Sequence, residues 1–349
     1  MVRLSRNSSV RFPGGALPQT FAPQLPSLVK SPPTGRQWVH EIKYDGYRIG
    51  ARVERGHVNL ITRNGNDWTA TFPEVVAAVK RLPLRQALVD GEAAVVLPNG
   101  TTSFQALQGV LKQHERSRLV YFVFDLLHLN GCDLTGLPLE ERKAILARLA
   151  AEVPAADAVV RYSQHFDRDG AEVLREACRM GLEGIVSKRR DLPHEPGRSR
   201  SWLKTKCIKR QEFVIGGFTD PEGSRAGIGA LLVGVNEGEH LRFAGKVGTG
   251  FTSDVLTDLR RRLNRLEQKE CPFVPRPAGP LGRNAHWVKP ELVAEVAFTE
   301  WTEDGKIRHP SFQGLREDKP ASQITREDPA TPAPQYPQLT SAAKGPRRA

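Results

Sequence analysis

The chain has 349 residues, with 51 Lys plus Arg against 39 Asp plus Glu and a net charge of +12. That length exceeds the usual single core, so two domains are expected, and the charge points to a polyanionic partner such as nucleic acid. No apolar run approaches the roughly 18 residues of a bilayer span, and the amino terminus lacks the apolar stretch of a secretory signal, so a soluble cytoplasmic chain is expected.

The opening stretch to Gly35 is rich in Pro, Ser and Gly and is expected to be irregular, with residues 1–20 forming a flexible basic arm that carries Arg3, Arg6 and Arg11. Order is expected from Trp38 onward. Apolar alternation at Ile49, Ala51 and Val53, then at Val58 and Leu60, flanks Arg55 and Gly56 and predicts a β-hairpin. A helix is predicted from Pro73 to Leu82, with Val75, Val76 and Val79 on one face. The strand Leu88 to Leu97 stops at the turn Pro98-Asn99-Gly100, and Ser103 is a natural N-cap for a helix to about His114. Leu119 to Leu129 is a near-continuous apolar run and therefore a buried strand. Helices at 138–151 and 168–180, the second closed by Gly181, alternate with strands at 158–163 and 184–188.

After Lys209 and Arg210 the texture changes to short strands: Glu212 to Phe218, Ala230 to Val235, His240 to Val247 and Leu292 to Trp301, interrupted by one helix from Thr252 to Leu266. About five short strands and one helix suit a small β-barrel such as an OB-fold. The expected division is a mixed α/β (α+β) domain at 21–209, an OB-fold at 210–325 and a disordered, Pro-rich tail at 326–349. Cys132, Cys178, Cys207 and Cys271 show neither zinc-ligand spacing nor a tight disulfide framework, so four reduced thiols are expected. The run from Gly245 to Gly250 resembles a phosphate loop but is taken as a barrel turn, for want of a strand-to-helix setting.

The most informative segment is Glu41-Ile42-Lys43-Tyr44-Asp45-Gly46-Tyr47-Arg48 at a strand end, where a lysine backed by a glycine turn can present its amine in a cleft. Four other segments repeat the theme of charges at strand ends: Thr62-Arg63-Asn64-Gly65, Asp90-Gly91-Glu92, Glu183 to Lys188, and Trp202 to Lys206. Strand alternation places Val186 with Lys188 on one face, and Lys204 with Lys206 on one face. Two lysines on one face repel unless an anion sits between them. A phosphate fills that role; a solvated edge strand kept from aggregating by its lysines is the other reading.

These segments, in this order, resemble the six motifs of the covalent nucleotidyltransferases, and of ATP-dependent DNA ligases in particular. The resemblance covers about residues 20–325. The wording Glu-Ile-Lys-Tyr-Asp-Gly-Tyr-Arg, Gln-Glu-Phe-Val-Ile-Gly-Gly-Phe-Thr and Arg-His-Pro-Ser-Phe-Gln-Gly-Leu-Arg-Glu-Asp-Lys is similar to the ligase module of bacterial ligase D, which works with Ku in end joining. Ligase D usually carries polymerase and nuclease modules too. Neither fits in this chain, so a free-standing ligase is expected, with Ku a partner implied by resemblance alone.

The resemblance implies an ATP-grasp-like adenylation domain followed by the OB-fold, with ATP and Mg²⁺ or Mn²⁺ as cofactors and nicked or broken duplex DNA as substrate. A monomer associated with the bacterial nucleoid is expected. Lys43 would attack the α-phosphate and Glu41 would read the adenine amine. Arg48 and Arg63 would hold ribose and phosphates, and Glu92 would contact the ribose or a metal. Phe124 would stack on the purine, core packing being its other reading. Glu183 would help bind the metal, and Lys188, Lys204 and Lys206 would steady phosphate and pyrophosphate. Arg308, Arg316, Asp318 and Lys319 would form the closing motif of the OB-fold domain.

Lysine chemistry imposes one further expectation. Attack needs the neutral amine, so the cations Arg48, Arg63, Lys188, Lys204 and Lys206, together with a metal, are expected to lower the pKa of Lys43 and to neutralise the transferring phosphoryl group. A capping guanylyltransferase or RNA ligase shares this chemistry, and a catalytically idle DNA-binding protein would need only the charge and the barrel. The labelled nucleotide that becomes attached to the protein separates these alternatives.

Overall fold

The computed structural model describes residues 14–113, 118–152, 159–221 and 227–329. Along the chain come β1 (Gln24–Leu28), β2 (Trp38–Ile42), β3 (Tyr47–Glu54), β4 (His57–Thr62), α1 (Pro73–Lys80) and β5 (Gln86–Val95). Next are α2 (Phe104–Gln113), β6 (Leu119–Leu129), β7 (Cys132–Asp133), α3 (Leu139–Ala151), β8 (Val160–Tyr162) and β9 (His165–Phe166). Then follow α4 (Gly170–Arg179), β10 (Gly184–Arg189) and β11 (Gly197–Lys206). The remainder holds β12 (Lys209–Thr219), β13 (Ala230–Glu237), β14 (His240–Val247), α5 (Ser253–Asn264), β15 (Glu267–Gln268), α6 (Gly279–Asn284), β16 (His286–Val288), β17 (Val293–Phe298) and β18 (Ser311–Leu315).

Local chemistry explains the hairpin and the caps. Arg55 and Gly56 both take positive φ, 49° and 82°, which turns β3 tightly into β4 with the twist that strands prefer. The Ser103 hydroxyl accepts from the Ala106 N–H at 3.2 Å as an N-cap. The predicted end of that helix, His114, lies outside the described residues. Asp169 caps α4 through Ala171 and Glu172, and Gly181, at φ 72°, ends the turn that follows it.

The first half builds two sheets. One has the order β4-β3-β5-β6-β7 with β8 parallel to β6; the other runs β1-β11-β10-β2-β9. Ile49, Leu60, Phe72, Tyr121 and Leu126 form the core of the first half. A separate core in the second half gathers Phe213, Phe218, Val233, Phe273 and Val296. Among its described residues that half contains seven strands, more than expected, ordered β14-β13-β12-β16-β15 with β17 on β12 and β18 on β17. No ladder joins β18 to β14 among the described residues, so the OB-fold sheet is open and not a closed barrel. The gap is spanned by single bonds from loop backbone, Ile307 N–H to Ala244 O at 2.9 Å and Phe312 N–H to Thr249 O at 2.9 Å.

Five further expectations are corrected. The opening stretch is not wholly irregular: β1 pairs in parallel with β11, a partner far along the chain that local pattern cannot reveal, and Pro26 is tolerated because β1 is an edge strand. The expected flexible arm lies outside the described residues up to 13, but within residues 14–20 the largely exposed chain is pinned at three points. Leu17 is buried, Gly15 N–H donates to Gly131 O at 3.0 Å, and Arg52 Nε donates to Pro18 O at 2.9 Å. The expected tail from 326 likewise begins docked, its Glu327 N–H bonded to Gln211 Oε1 at 3.0 Å; residues 330–349 lie outside the described residues. Finally, Cys178 and Cys207 form a disulfide with their Cα atoms 5.2 Å apart, because packing of α4 on β10 brings the helix end to the end of β11. Cys132 and Cys271 remain free. The run from Gly245 to Gly250 does stand between a strand, β14, and a helix, α5, contrary to expectation, yet it does not line the site described next.

Candidate active site

Residues from both halves line one cleft. Of the fourteen site residues proposed from sequence, Glu41, Lys43, Arg48, Arg63, Glu92, Phe124, Glu183, Lys188, Lys204, Lys206, Arg316, Asp318 and Lys319 all border it. Arg308 does not. It is exposed and paired with Glu300 at 3.0 Å, away from the cleft.

Backbone geometry sets Lys43 and its partner. A side chain at Gly46 would collide with the Ala93 carbonyl oxygen, and Gly184, at φ 151°, runs so close to the Thr205 carbonyl that no Cβ fits. The antiparallel β2–β10 ladder brings the end of β2 to the start of β10, and Lys43 N–H donates to Gly184 O at 3.0 Å. Lys43 Nζ then donates to Glu183 Oε2 at 2.5 Å.

This pairing reverses the expected pKa shift. Burial favours the neutral amine of Lys43, but Glu183, Asp45 and Glu92 outweigh it, so the ammonium is held above its ordinary range. The cations named from sequence are present, but carboxylates stand nearer. Conversely, burial drives Glu183 upward, and Lys43 and Lys206 overcome it to leave its carboxyl below the usual value. Burial pushes Glu92 up to about 7, against Arg48, Lys43 and Arg316, and it makes no direct hydrogen bond or ion pair among the described residues. An under-compensated carboxylate beside Glu183 suits a divalent cation. No cluster of three or more ligating side chains occurs among the described residues, and Mg²⁺ typically takes one or two carboxylates and completes its shell with phosphate and water.

Around this centre most of the other charges are paired. Glu41 sits buried between Lys143 at 2.8 Å and Lys188 at 2.9 Å, and it accepts from Ser163 Oγ at 3.0 Å. Arg48 forks onto buried Asp90 at 2.5 and 2.6 Å, while its guanidinium lies 4.5 Å from the Phe124 ring centre. Lys188 lies 4.3 Å from the same ring, and burial together with Lys143 brings its pKa to about 8 despite Glu41. Phe124 is thus both core and cleft wall: it packs with Val39, Leu139 and Trp202 while bordering the opening.

The second half closes this cleft. Arg316 forks onto Asp318, both contacts 2.8 Å, and reaches Glu295 at 3.1 Å, with its guanidinium 4.3 Å from the Phe104 ring of the first half. Lys319 pairs with Glu212, Asn64 Nδ2 donates to Asp318 O, and Arg210 bridges to Asp45 at 2.8 Å. Sequence reading missed Glu212, Glu295, Lys143 and Arg210. A signal existed for Glu295: it is the lone charge in an otherwise apolar strand, and a buried acid needs a partner.

Comparison with known proteins agrees with this geometry. Residues 22–206 match the ATP dependent DNA ligase domain and residues 224–319 match the ATP dependent DNA ligase C terminal region. The chain is 43% identical over 322 residues to the multifunctional non-homologous end joining protein LigD of Pseudomonas aeruginosa, covering 91% of this chain and 38% of that protein. It is 38% identical over 294 residues to the LigD repair protein of Mycobacterium tuberculosis, covering 83% of this chain and 38% of the relative. The chain therefore spans well under half the length of these relatives. Its fold superposes on mycobacterial DNA ligase D complexed with ATP and MES with a TM-score of 0.66 at 34% identity, covering 88% of this chain and 98% of that one. No helix among the described residues is long and apolar enough to cross a membrane. With both halves of the chain matched in order, the protein belongs to the ATP-dependent DNA ligase family.

Proposed function

We propose that the protein seals nicked or broken duplex DNA through a lysyl-AMP formed on Lys43. The observation that carries this reading is the setting of Lys43: carboxylates on one side, and Arg48, Arg63, Lys204, Lys206 and Arg316 around the same cleft. In the first step Lys43 Nζ bonds to the α-phosphorus of ATP, the bond from that phosphorus to the oxygen bridging to the β-phosphate breaks with pyrophosphate taking the electron pair, and the amine's proton leaves with the pyrophosphate. A divalent cation held by Glu183 and Glu92 would offset charge on the phosphates. Engaging Glu183 in that way weakens its hold on the ammonium, so the neutral amine becomes accessible only when nucleotide is bound.

The chain's own groups do the rest by position and charge. Glu41, oriented by Lys143 and Lys188, accepts from the adenine amine, while Phe124 stacks on the ring. Arg48, pre-set by Asp90, and Arg63 hold the ribose and phosphates, and Lys188, Lys204, Lys206, Arg316 and Lys319 neutralise the phosphoryl groups, with Asp318 fixing Arg316. AMP then passes from Lys43 to a DNA 5′-phosphate, and the adjacent 3′-hydroxyl displaces it. Arg308 lies outside this set.

We further propose a role in DNA repair by end joining, since the relatives named above are end-joining proteins. Ku is the proposed partner at the ends, and the chain acts as a monomer in the bacterial cytoplasm, associated with the nucleoid. A chase experiment tests the reading: label from α-labelled ATP, held on the protein, should move to the 5′-phosphate of a nick and then appear as free AMP as the strand is sealed. Label that never leaves the protein in the presence of nicked duplex would overturn it.

A further inference from the structure

Lys204 and Lys206 share one face of β11, and the anion between them belongs to this chain. Glu327 pairs with Lys204 through Oε1 and with Lys206 through Oε2, the latter at 3.1 Å. The segment that delivers it is anchored on several sides. Ile324 is buried in the second core, and Asn236 holds the backbone by donating from Nδ2 to Ala321 O at 2.7 Å and from its N–H to Ile324 O at 2.8 Å. Gln211 grips the next residues, accepting from Glu327 N–H at 3.0 Å and donating to Thr325 O at 3.1 Å. Although burial opposes it, Lys206 and Lys204 hold the Glu327 carboxyl down to about 2, so it stays charged under all ordinary conditions. Both lysines and Glu327 border the cleft that contains Lys43.

A carboxylate bridging two ammonium groups uses the same charge-assisted contacts that a phosphate would need from those lysines. We propose that Glu327 is an internal competitor for polyphosphate on Lys204 and Lys206: it neutralises them when no nucleotide is bound, yields to the phosphates of ATP, and returns as pyrophosphate departs. This rests on the adenylation reading above for its place in the reaction, but the competition itself does not. While the phosphates are joined to adenosine, contacts elsewhere in the cleft help them hold their place. Once the bond to the α-phosphorus breaks, pyrophosphate is untethered, whereas Glu327 remains attached at a high effective concentration. Release is favoured and rebinding is penalised.

Calorimetric titration of inorganic pyrophosphate with Mg²⁺ into the full chain tests this, comparing the native protein with Glu327→Gln, and the double variant Lys204→Ala/Lys206→Ala with and without Glu327→Gln. Loss of the competing charge should tighten pyrophosphate binding by about fivefold or more, and the gain should vanish where both lysines are absent. Unchanged or weaker binding by Glu327→Gln overturns the proposal, as does an equal gain in the background that lacks both lysines. A purely structural role would weaken binding, the opposite direction. The titration requires no lysyl-AMP, so failure of the adenylation reading, detected separately with labelled ATP, leaves its outcome decisive.

Discussion

Lys43 and Glu183 meet as ammonium and carboxylate, 2.5 Å apart, where the ends of β2 and β10 converge. The contact holds the Lys43 ammonium, the proposed nucleophile, in its protonated form. In Glu183→Gln the carboxylate charge is gone, so the Lys43 pKa should fall by about one unit or more, a change worth about 1.4 kcal/mol per unit. The sign is fixed by the charge removed: a cation deprived of its anion loses its proton more readily. Amine-selective acylation across pH, with Lys43 modification read by mass spectrometry, measures this without any turnover. An apparent pKa that stays put or rises in Glu183→Gln would contradict the pairing.

Arg316 bonds Asp318 and Glu295 within the second half while its guanidinium lies over Phe104 of the first, so the ring contact is what crosses between the halves. Arg316→Ala is expected to lose most adduct formation from ATP yet still join chemically pre-adenylated nicked DNA, because that step releases no pyrophosphate. Leaving Glu295 and Asp318 buried without their partner should also cost about 3 kcal/mol or more of stability. Both rates should be taken on one folded preparation. Equal losses in the two steps would assign Arg316 a structural role alone.

The Cys178–Cys207 disulfide closes a loop of 29 residues beside Glu183, whose carbonyl accepts from the Cys207 N–H at 2.9 Å. Its removal, by Cys178→Ser or by reduction, should lower stability by about 2–4 kcal/mol. Denaturant unfolding with and without reductant measures the difference. Identical midpoints would show that the bond contributes nothing.

With a net charge of +12, binding to nicked duplex should weaken steeply as salt rises, log K falling with log salt by about 0.9 per phosphate contact. Sequence preference should be weak, since phosphate contacts carry no base information. Affinities over a salt series on two unrelated nicked duplexes decide both points, and a flat series would exclude this mode of binding.

Much of this was legible in sequence because the signals are local. The hairpin at Arg55 and Gly56, the Ser103 cap and the apolar strand Leu119–Leu129 depend on neighbours within a few residues. The cleft residues were legible for another reason: most sit near a strand end beside a glycine or another charge, Glu92 and Phe124 lying inside β5 and β6, and together they follow a family's order. What sequence could not give is long-range. β1 is a strand only because β11 accepts it, and Cys178 meets Cys207 only because α4 packs on β10. The sign of the Lys43 shift depended on which charges came nearest, and counting cations along the chain could not rank Glu183, Asp45 and Glu92 above them. Glu327 was assigned to a tail by its Pro-rich surroundings, although Ile324 three residues earlier is the apolar anchor that holds it.

The adenylated residue is identified by incubating the native protein, Lys43→Ala and Lys43→Arg with α-labelled ATP and divalent metal, denaturing them, and locating the label by peptide mass spectrometry. The native protein should carry AMP on Lys43, and both variants should carry none, Lys43→Arg because a guanidinium stays protonated. A labelled Lys43→Ala protein, or AMP found on another lysine of the native chain, would contradict the account.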